Sequence, residues 1–171
     1  MNTLKLQFTD VGLNRLVNAK GQGFKEAITH MAFGDSTQSG SRHSTALGNL
    51  KEKVAIADYQ GDGNNLRMAA VFEAPLEYAI REVGIYIGDT LLGIYSTGSS
   101  EVLGYRTPDI KAIQWVTLNI SALPTDSLTV TVGTENLNLV FDREFAQMAA
   151  AQINTMHRQI QQELRLNALT A

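Results

Sequence analysis

The chain has 171 residues, 44% of them hydrophobic and 18% charged, with a formal net charge of -3 and a pI near 5.6. That is enough apolar matter for one core-bearing domain, with or without an appendage, and too little positive charge for a nucleic-acid footprint; Lys51 and Lys53, with Glu52 between them, come nearest to a basic cluster. The absence of cysteine excludes disulfides, thiolate metal sites and cysteine nucleophiles, and no apolar run is long enough for a signal peptide or a membrane span, so a soluble protein made in the cytoplasm is expected.

In chain order, residues 3 to 8 alternate as a short strand with Leu4, Leu6 and Phe8 on one face. Thr9 or Asp10 offers an N-cap for a helix carrying Leu13, Leu16 and Val17, which Gly21 terminates. "GQG" at residues 21 to 23 therefore ends a helix and is no phosphate loop. Residues 26 to 33 read as a second strand closed by Gly34-Asp35. A polar Gly/Ser-rich loop over residues 36 to 44 follows, then a short helical turn around Thr45 to Lys51.

Beyond that point the pattern is dominantly β. Two strands, 54 to 59 and 66 to 73, flank the hairpin loop "QGDGNN". "AIREVGIYIGDTLLGIYS", residues 79 to 96, is a second hairpin turning at Gly88-Asp89. Residues 98 to 109 form a loop closed by Pro108. Val116, Leu118 and Ile120 then share one face, as do Leu128, Val130 and Val132, with Pro124-Thr125-Asp126 between. The short connection implies antiparallel pairing of these last two strands. The fold class expected is α+β: an antiparallel β-rich domain with short N-terminal helices over residues 1–140, followed by a long C-terminal α-helix over 141–171.

That terminal segment contains neither Gly nor Pro but five Gln, and as a helix of roughly 30 residues it would run about 45 Å. Asp142 is a plausible N-cap. Phe145, Ala149, Ile153, Met156, Ile160 and Leu164 recur at spacings of 4, 4, 3, 4 and 4. Eleven residues over three turns is about 3.67 per turn, which predicts a straight or slightly right-handed bundle instead of a heptad coil. Gln147, Arg158, Gln161, Gln162 and Arg165 take the opposite side. Either the helix folds back across its own sheet, or identical helices from neighbouring copies pack along the stripe. The thin seam and the terminal position favour the second arrangement.

Candidate chemistry is sparse. "MAFGDST", residues 31 to 37, resembles the nucleophile block of Gly-Asp-Ser-Leu esterases, with Ser36 as nucleophile. Such a serine needs a histidine base and an orienting acid. The only late histidine is His157, with Asn154 where that family has an acid, and the parallel strand–helix alternation is missing. His30, His43 and His157 are widely separated and lack Asp or Glu at ligand spacing, so neither a metal nor another cofactor is expected. The loops at 36–44 and 98–109, with Tyr105 beside Arg106, would be the place for a glycan or receptor contact. Arg81 and Glu82 point to opposite faces of a strand, Arg81 with Val83, Ile85 and Ile87, and Glu82 with Ile80, Gly84 and Tyr86. They therefore form no acid/base dyad. They take two separate polar partners, or they mark a strand end emerging into solvent.

"REVGIYIGDTLLGIYS", preceded by "ITHMAFGD" and by a strand–helix pair ending "LNRLVNA", resembles the N-terminal domain of phage tail-collar fibre proteins, the fibres of contractile-tailed temperate phages and R-type pyocins. The resemblance runs from about Thr3 to the terminal helix and is carried by Gly34, Asp35, Arg81, Glu82, Gly84 and Tyr86. It implies a non-enzymatic virion structural protein, located in the tail, whose N-terminal domain joins a fibre to the baseplate. It also implies a homotrimer continuing into an elongated shaft, with the signature residues in an architectural role. The sequence shows no long shaft, collagen-like repeat or receptor-binding tip before Ala171. A short adaptor that passes attachment to a separate distal fibre subunit and a truncated fibre are both compatible with that. No membrane or nucleic-acid partner is expected.

Overall fold

The computed structural model describes residues 6–99, 101–123, 126–133 and 137–170. The chain divides after Leu137 into two compact units. The first is a mostly antiparallel β-sheet with one helix; the second is a helix.

The first unit contains β1 (Gln7–Phe8), α1 (Asp10–Gly21), β2 (Glu26–Ile28), β3 (His30–Gly34), β4 (Leu50–Asp62), β5 (Asn65–Phe72), β6 (Tyr78–Ile80), β7 (Glu82–Ile87), β8 (Thr90–Ser96), β9 (Gly104–Arg106), β10 (Ala112–Asn119) and β11 (Leu128–Val130). Seven of these form one sheet in the order β1-β8-β7-β3-β4-β5-β10, every pairing antiparallel. β11 pairs with β2 in parallel and β6 with β9 antiparallel. On the inner face Leu16, Met31, Phe33, Ile56, Met68, Phe72, Ile85, Leu92 and Val116 are almost wholly buried. Each such side chain contributes roughly 1.5–3 kcal/mol relative to exposure. The rings of Phe33 and Phe72 stack at its centre, 3.7 Å apart.

α1 begins where the side chain of Thr9 accepts from the Gly12 N–H at 3.1 Å, so Thr9 and not Asp10 is the N-cap. Gly12 is required by packing: a Cβ there would lie 2.6 Å from the Leu92 Cα on β8. The hairpin of residues 79 to 96 turns at Gly88, whose φ of +58° suits glycine.

Four expectations need correction. Among the described residues the N-terminal region has one helix, not several: residues 45 to 49 are irregular and run into β4, because the N–H groups of Leu47, Gly48 and Asn49 bond to side chains of β7 and not to carbonyls one turn back. The strand expected over 26 to 33 breaks at Thr29. There β2 leaves β3 to join β11, and Thr29 instead contacts Tyr86, Gly88 and Ile56. β10 and β11 do not pair with each other. β10 lies antiparallel to β5, placing Val116 and Leu118 opposite Met68 and Leu66, and β11 lies parallel to β2. Of the turn between them, Pro124 and Thr125 lie outside the described residues; Asp126 takes a left-handed φ of +59°. The loop of 98 to 109 contains a strand, β9, held by Arg106. Of the strand expected at residues 3 to 8, positions 3 to 5 lie outside the described residues.

The second unit holds α2 (Leu137–Thr170), 34 residues long, which starts before Asp142, so that residue lies within the helix and is not its N-cap. No helix among the described residues is long and apolar enough to cross a membrane.

His30, at the start of β3, supplies a pH dependence. Burial first, and the nearby Lys53 ammonium second, hold its imidazole below the usual value, against the opposing pull of Asp89. The unfolded chain therefore binds a proton near pH 6.5 that the folded chain resists. Stability from this group is intact above about pH 6.5, falls as the pH drops through that value, and levels once the folded-state imidazole also protonates. Thermal unfolding midpoints of wild type are expected to decline as the pH falls below about 6.5, and those of His30→Asn to decline less steeply.

Candidate functional site

Five of the six residues that carry the resemblance are brought to one place, the segment Leu47–Asn49. Glu82 opens β7 and is 1% exposed. Its Oε1 accepts from the Gly48 N–H at 3.1 Å and its Oε2 from the Asn49 N–H at 3.3 Å. Gly34 stands opposite Glu82 in the β3–β7 register. A Cβ at Gly34 would fall 2.5 Å from Glu82 Oε2 and 2.9 Å from the Asn49 carbonyl, so only glycine lets the carboxylate through. Asp35 accepts from Asn49 Nδ2 at 2.6 Å and pairs with Lys51 at 3.1 Å. The Tyr86 hydroxyl accepts from the Leu47 N–H at 3.4 Å. Burial above all pushes the Tyr86 phenol up, against the Leu47 hydrogen bond. Gly84 leaves the space occupied by Leu47 Cδ2 and the Tyr86 ring, each 3.0 Å from where its Cβ would be.

Arg81 is placed differently. It sits in the one-residue break between β6 and β7, outside the strand to which it was assigned. Its N–H donates to the Gly34 carbonyl at 2.9 Å, and its Nη1 donates to the carbonyls of Gly98 (3.4 Å) and Glu101 (3.3 Å). The pair thus points to two different loops. Glu82 holds the end of the 36–48 loop against the outer sheet face, where Leu47 packs with Ala32, Tyr86, Leu91 and Ile94. Arg81 holds the chain at Gly98 and Glu101. At the far side of the first loop, Arg42 and His43 clamp Asp10 at 2.7 Å each.

Because Gly34 and Glu82 share one space, Gly34→Ala is expected to cost about 1–3 kcal/mol by overpacking. Glu82→Gln should cost about as much, since an amide NH2 would face one of the two N–H donors. Both variants should speed exchange of the Gly48 and Asn49 amides before the sheet amides. Unchanged exchange at those two positions would show that the carboxylate does not hold the loop.

The other sequence candidates scatter. Among the described residues the Ser36 hydroxyl bonds only with Gln38, whose N–H it accepts at 3.1 Å. His30 Nδ1 lies 2.7 Å from Thr29 Oγ1, and His43 is on Asp10. His157 is an exposed residue of α2. Tyr105 is 75% exposed, whereas its neighbour Arg106 is 1% exposed.

Sequence reasoning missed what Arg106 does. Its Nε lies 3.4 Å from Glu52 Oε2, and Nη2 donates to the Ala74 carbonyl at 3.0 Å. Nη1 donates to the carbonyls of Thr107 and Ile110. Glu52 also accepts from the Ala74 N–H at 2.9 Å and the Tyr78 hydroxyl at 3.2 Å. Burial, then the Glu52 charge, pushes the Tyr78 phenol well above its usual value. The signal available was Glu52 between two lysines in a strand, a position that alternation sends inward.

In α2, Phe145, Ala149, Ile153, Met156, Ile160 and Leu164 are all exposed, the five larger ones between 54% and 66%. At helical pitch they occupy one side, flanked by Gln152 and Glu163 on one edge and His157 on the other.

No family model, curated protein or solved structure matches the chain.

Proposed function

We propose that this protein is a structural subunit of a contractile phage tail. It acts as a homotrimer, its first unit attaching to the baseplate and its helices opening the shaft of a fibre or of a short fibre adaptor. The observation that carries this reading is the uncovered ridge of α2. An isolated helix in water lacks tertiary stabilisation, and a straight ridge repeating every eleven residues is matched by copies of itself. The first unit supplies loops fixed on its sheet by Glu82, Arg81 and Arg106, as a docking module needs. The role is mechanical, and no cofactor enters it. Sedimentation equilibrium at micromolar concentration tests the assembly: three chains per particle are expected, and a clean monomer would refute it. Locating the polypeptide at the baseplate in images of an intact tail tests the attachment.

A second reading, a receptor- or glycan-binding module of a tail, is favoured by one observation, the exposed Tyr105 ring on a strand anchored by Arg106. Glycan-array binding lost in Tyr105→Ala would support it. The esterase reading requires a base for Ser36, and the engagement of that hydroxyl by Gln38 speaks against it; ester turnover abolished in Ser36→Ala would revive it.

A further inference from the structure

We infer that the free edge of β10 is a strand-acceptor site, which takes an extended segment of a different polypeptide by β-sheet addition. β10 has eight residues and pairs only with β5, which makes it the longest one-sided strand among those described. The Ile120 N–H donates to the Asn64 carbonyl at 2.8 Å, and this fixes the phase of the ladder. Counting back in the observed register, Ala112, Gln114, Val116 and Leu118 exchange bonds with β5, and Ile113, Trp115, Thr117 and Asn119 turn their N–H and C=O groups outward. The Trp115 carbonyl agrees, since it accepts from the Gln114 side chain and not from the ladder.

Sheet edges in free-standing proteins are guarded by charges, proline, bulges or shortness. β10 reads AIQWVTLN, with no charge, proline or glycine and no register shift against β5. A row of alternating donors and acceptors at strand spacing is satisfied by one kind of partner, an extended backbone. Ile113, 39% exposed, and Trp115 border the edge on the outer face, so the incoming strand suits β-branched or aromatic residues there.

The choice of a different polypeptide rests on the threefold assembly proposed above. Two β10 edges pair about a twofold axis, which three helices on a threefold axis do not contain. Among the described residues the opposite edge of the sheet, β1, presents Gln7 and Phe8.

Trp115 is the only tryptophan and stacks on Arg67 at 4.5 Å, so its emission reports on this edge. The probe is a short peptide of alternating threonine and valine with lysines at its ends, in two forms N-methylated on alternate residues along one edge or the other. With the full chain, the unmethylated peptide is expected to shift Trp115 emission saturably and to slow amide exchange at Ile113, Trp115, Thr117 and Asn119. One N-methylated form should bind as well as the parent and the other about tenfold more weakly or worse. Thr117→Pro removes an outward N–H without breaking a ladder bond; it should keep the wild-type mass and lose peptide binding. Equal binding by both methylated forms, or no slowing at those four amides, would overturn the inference. A wild-type particle of six chains that Thr117→Pro returns to three would also overturn it, by making the occupant a second copy. A wild-type monomer that still binds the peptide on one edge would refute the threefold reading and support the strand acceptor.

Discussion

Replacing Ile153 and Ile160 together with Asp is expected to convert the proposed three-chain particle to single chains, without unfolding the first unit. The two positions lie seven residues apart on the exposed ridge of α2, at 66% and 54% exposure in the single chain. Packed against sister helices they would bring six carboxylates to the axis. Each buried charge would cost several kcal/mol unless it took a proton, and like charges facing across the axis would add repulsion. The midpoint of the far-ultraviolet unfolding transition assigned to α2 should fall or vanish, since a lone helix is marginal in water. The near-ultraviolet signal of Trp115, in the other unit, should persist. Arg158→Asp and Arg165→Asp on the opposite side serve as the control and should leave the mass unchanged. Dissociation by the control pair, or a double Asp variant that stays trimeric, would place the contact elsewhere.

The ridge was legible because periodicity is a local property of the chain: spacings of 4, 4, 3, 4 and 4 need no knowledge of the fold. The same holds for α1, where Thr9 and Gly21 bracket the helix, and for the hairpin at Gly88. Pairing partners were a different matter. Alternation shows that residues 112 to 119 and 128 to 130 are strands but not what they lie beside, and a short connection argued for a hairpin that the chain does not make. β10 instead buries Val116 and Leu118 next to β5, and β11 crosses to β2, a choice decided by where the apolar faces can be covered. The helical turn expected around Thr45 to Lys51 failed for a related reason. Its N–H groups are claimed by Glu82 and Tyr86, more than thirty residues away, and no local propensity reports such a claim. Arg81 and Glu82 stood out as charges in an apolar run, yet their separate targets became clear only once the loops were in place.

Arg106→Met should destabilise the first unit by about 3–5 kcal/mol, the cost of leaving one member of a buried ion pair without its partner. Glu52 is 7% exposed and Arg106 1%, so water does not replace the lost guanidinium. Three carbonyls, of Ala74, Thr107 and Ile110, lose their donor at the same time. The double variant Glu52→Gln/Arg106→Met should recover part of that loss, because it carries no buried charge and the Gln oxygen can still accept from the Ala74 N–H or the Tyr78 hydroxyl. The thermodynamic cycle built with Glu52→Gln alone isolates the coupling, expected at about 1–3 kcal/mol. Amide exchange should quicken first at Leu76 and Ile110, whose loops the guanidinium ties together. That tie also sets the position of the exposed Tyr105. Under either proposed function Arg106→Met should act only through the loops at 73–77 and 107–111, and should leave the proposed three-chain assembly intact. A cost below about 1 kcal/mol would mean that the pair is solvated and that these loops are held by their strands alone.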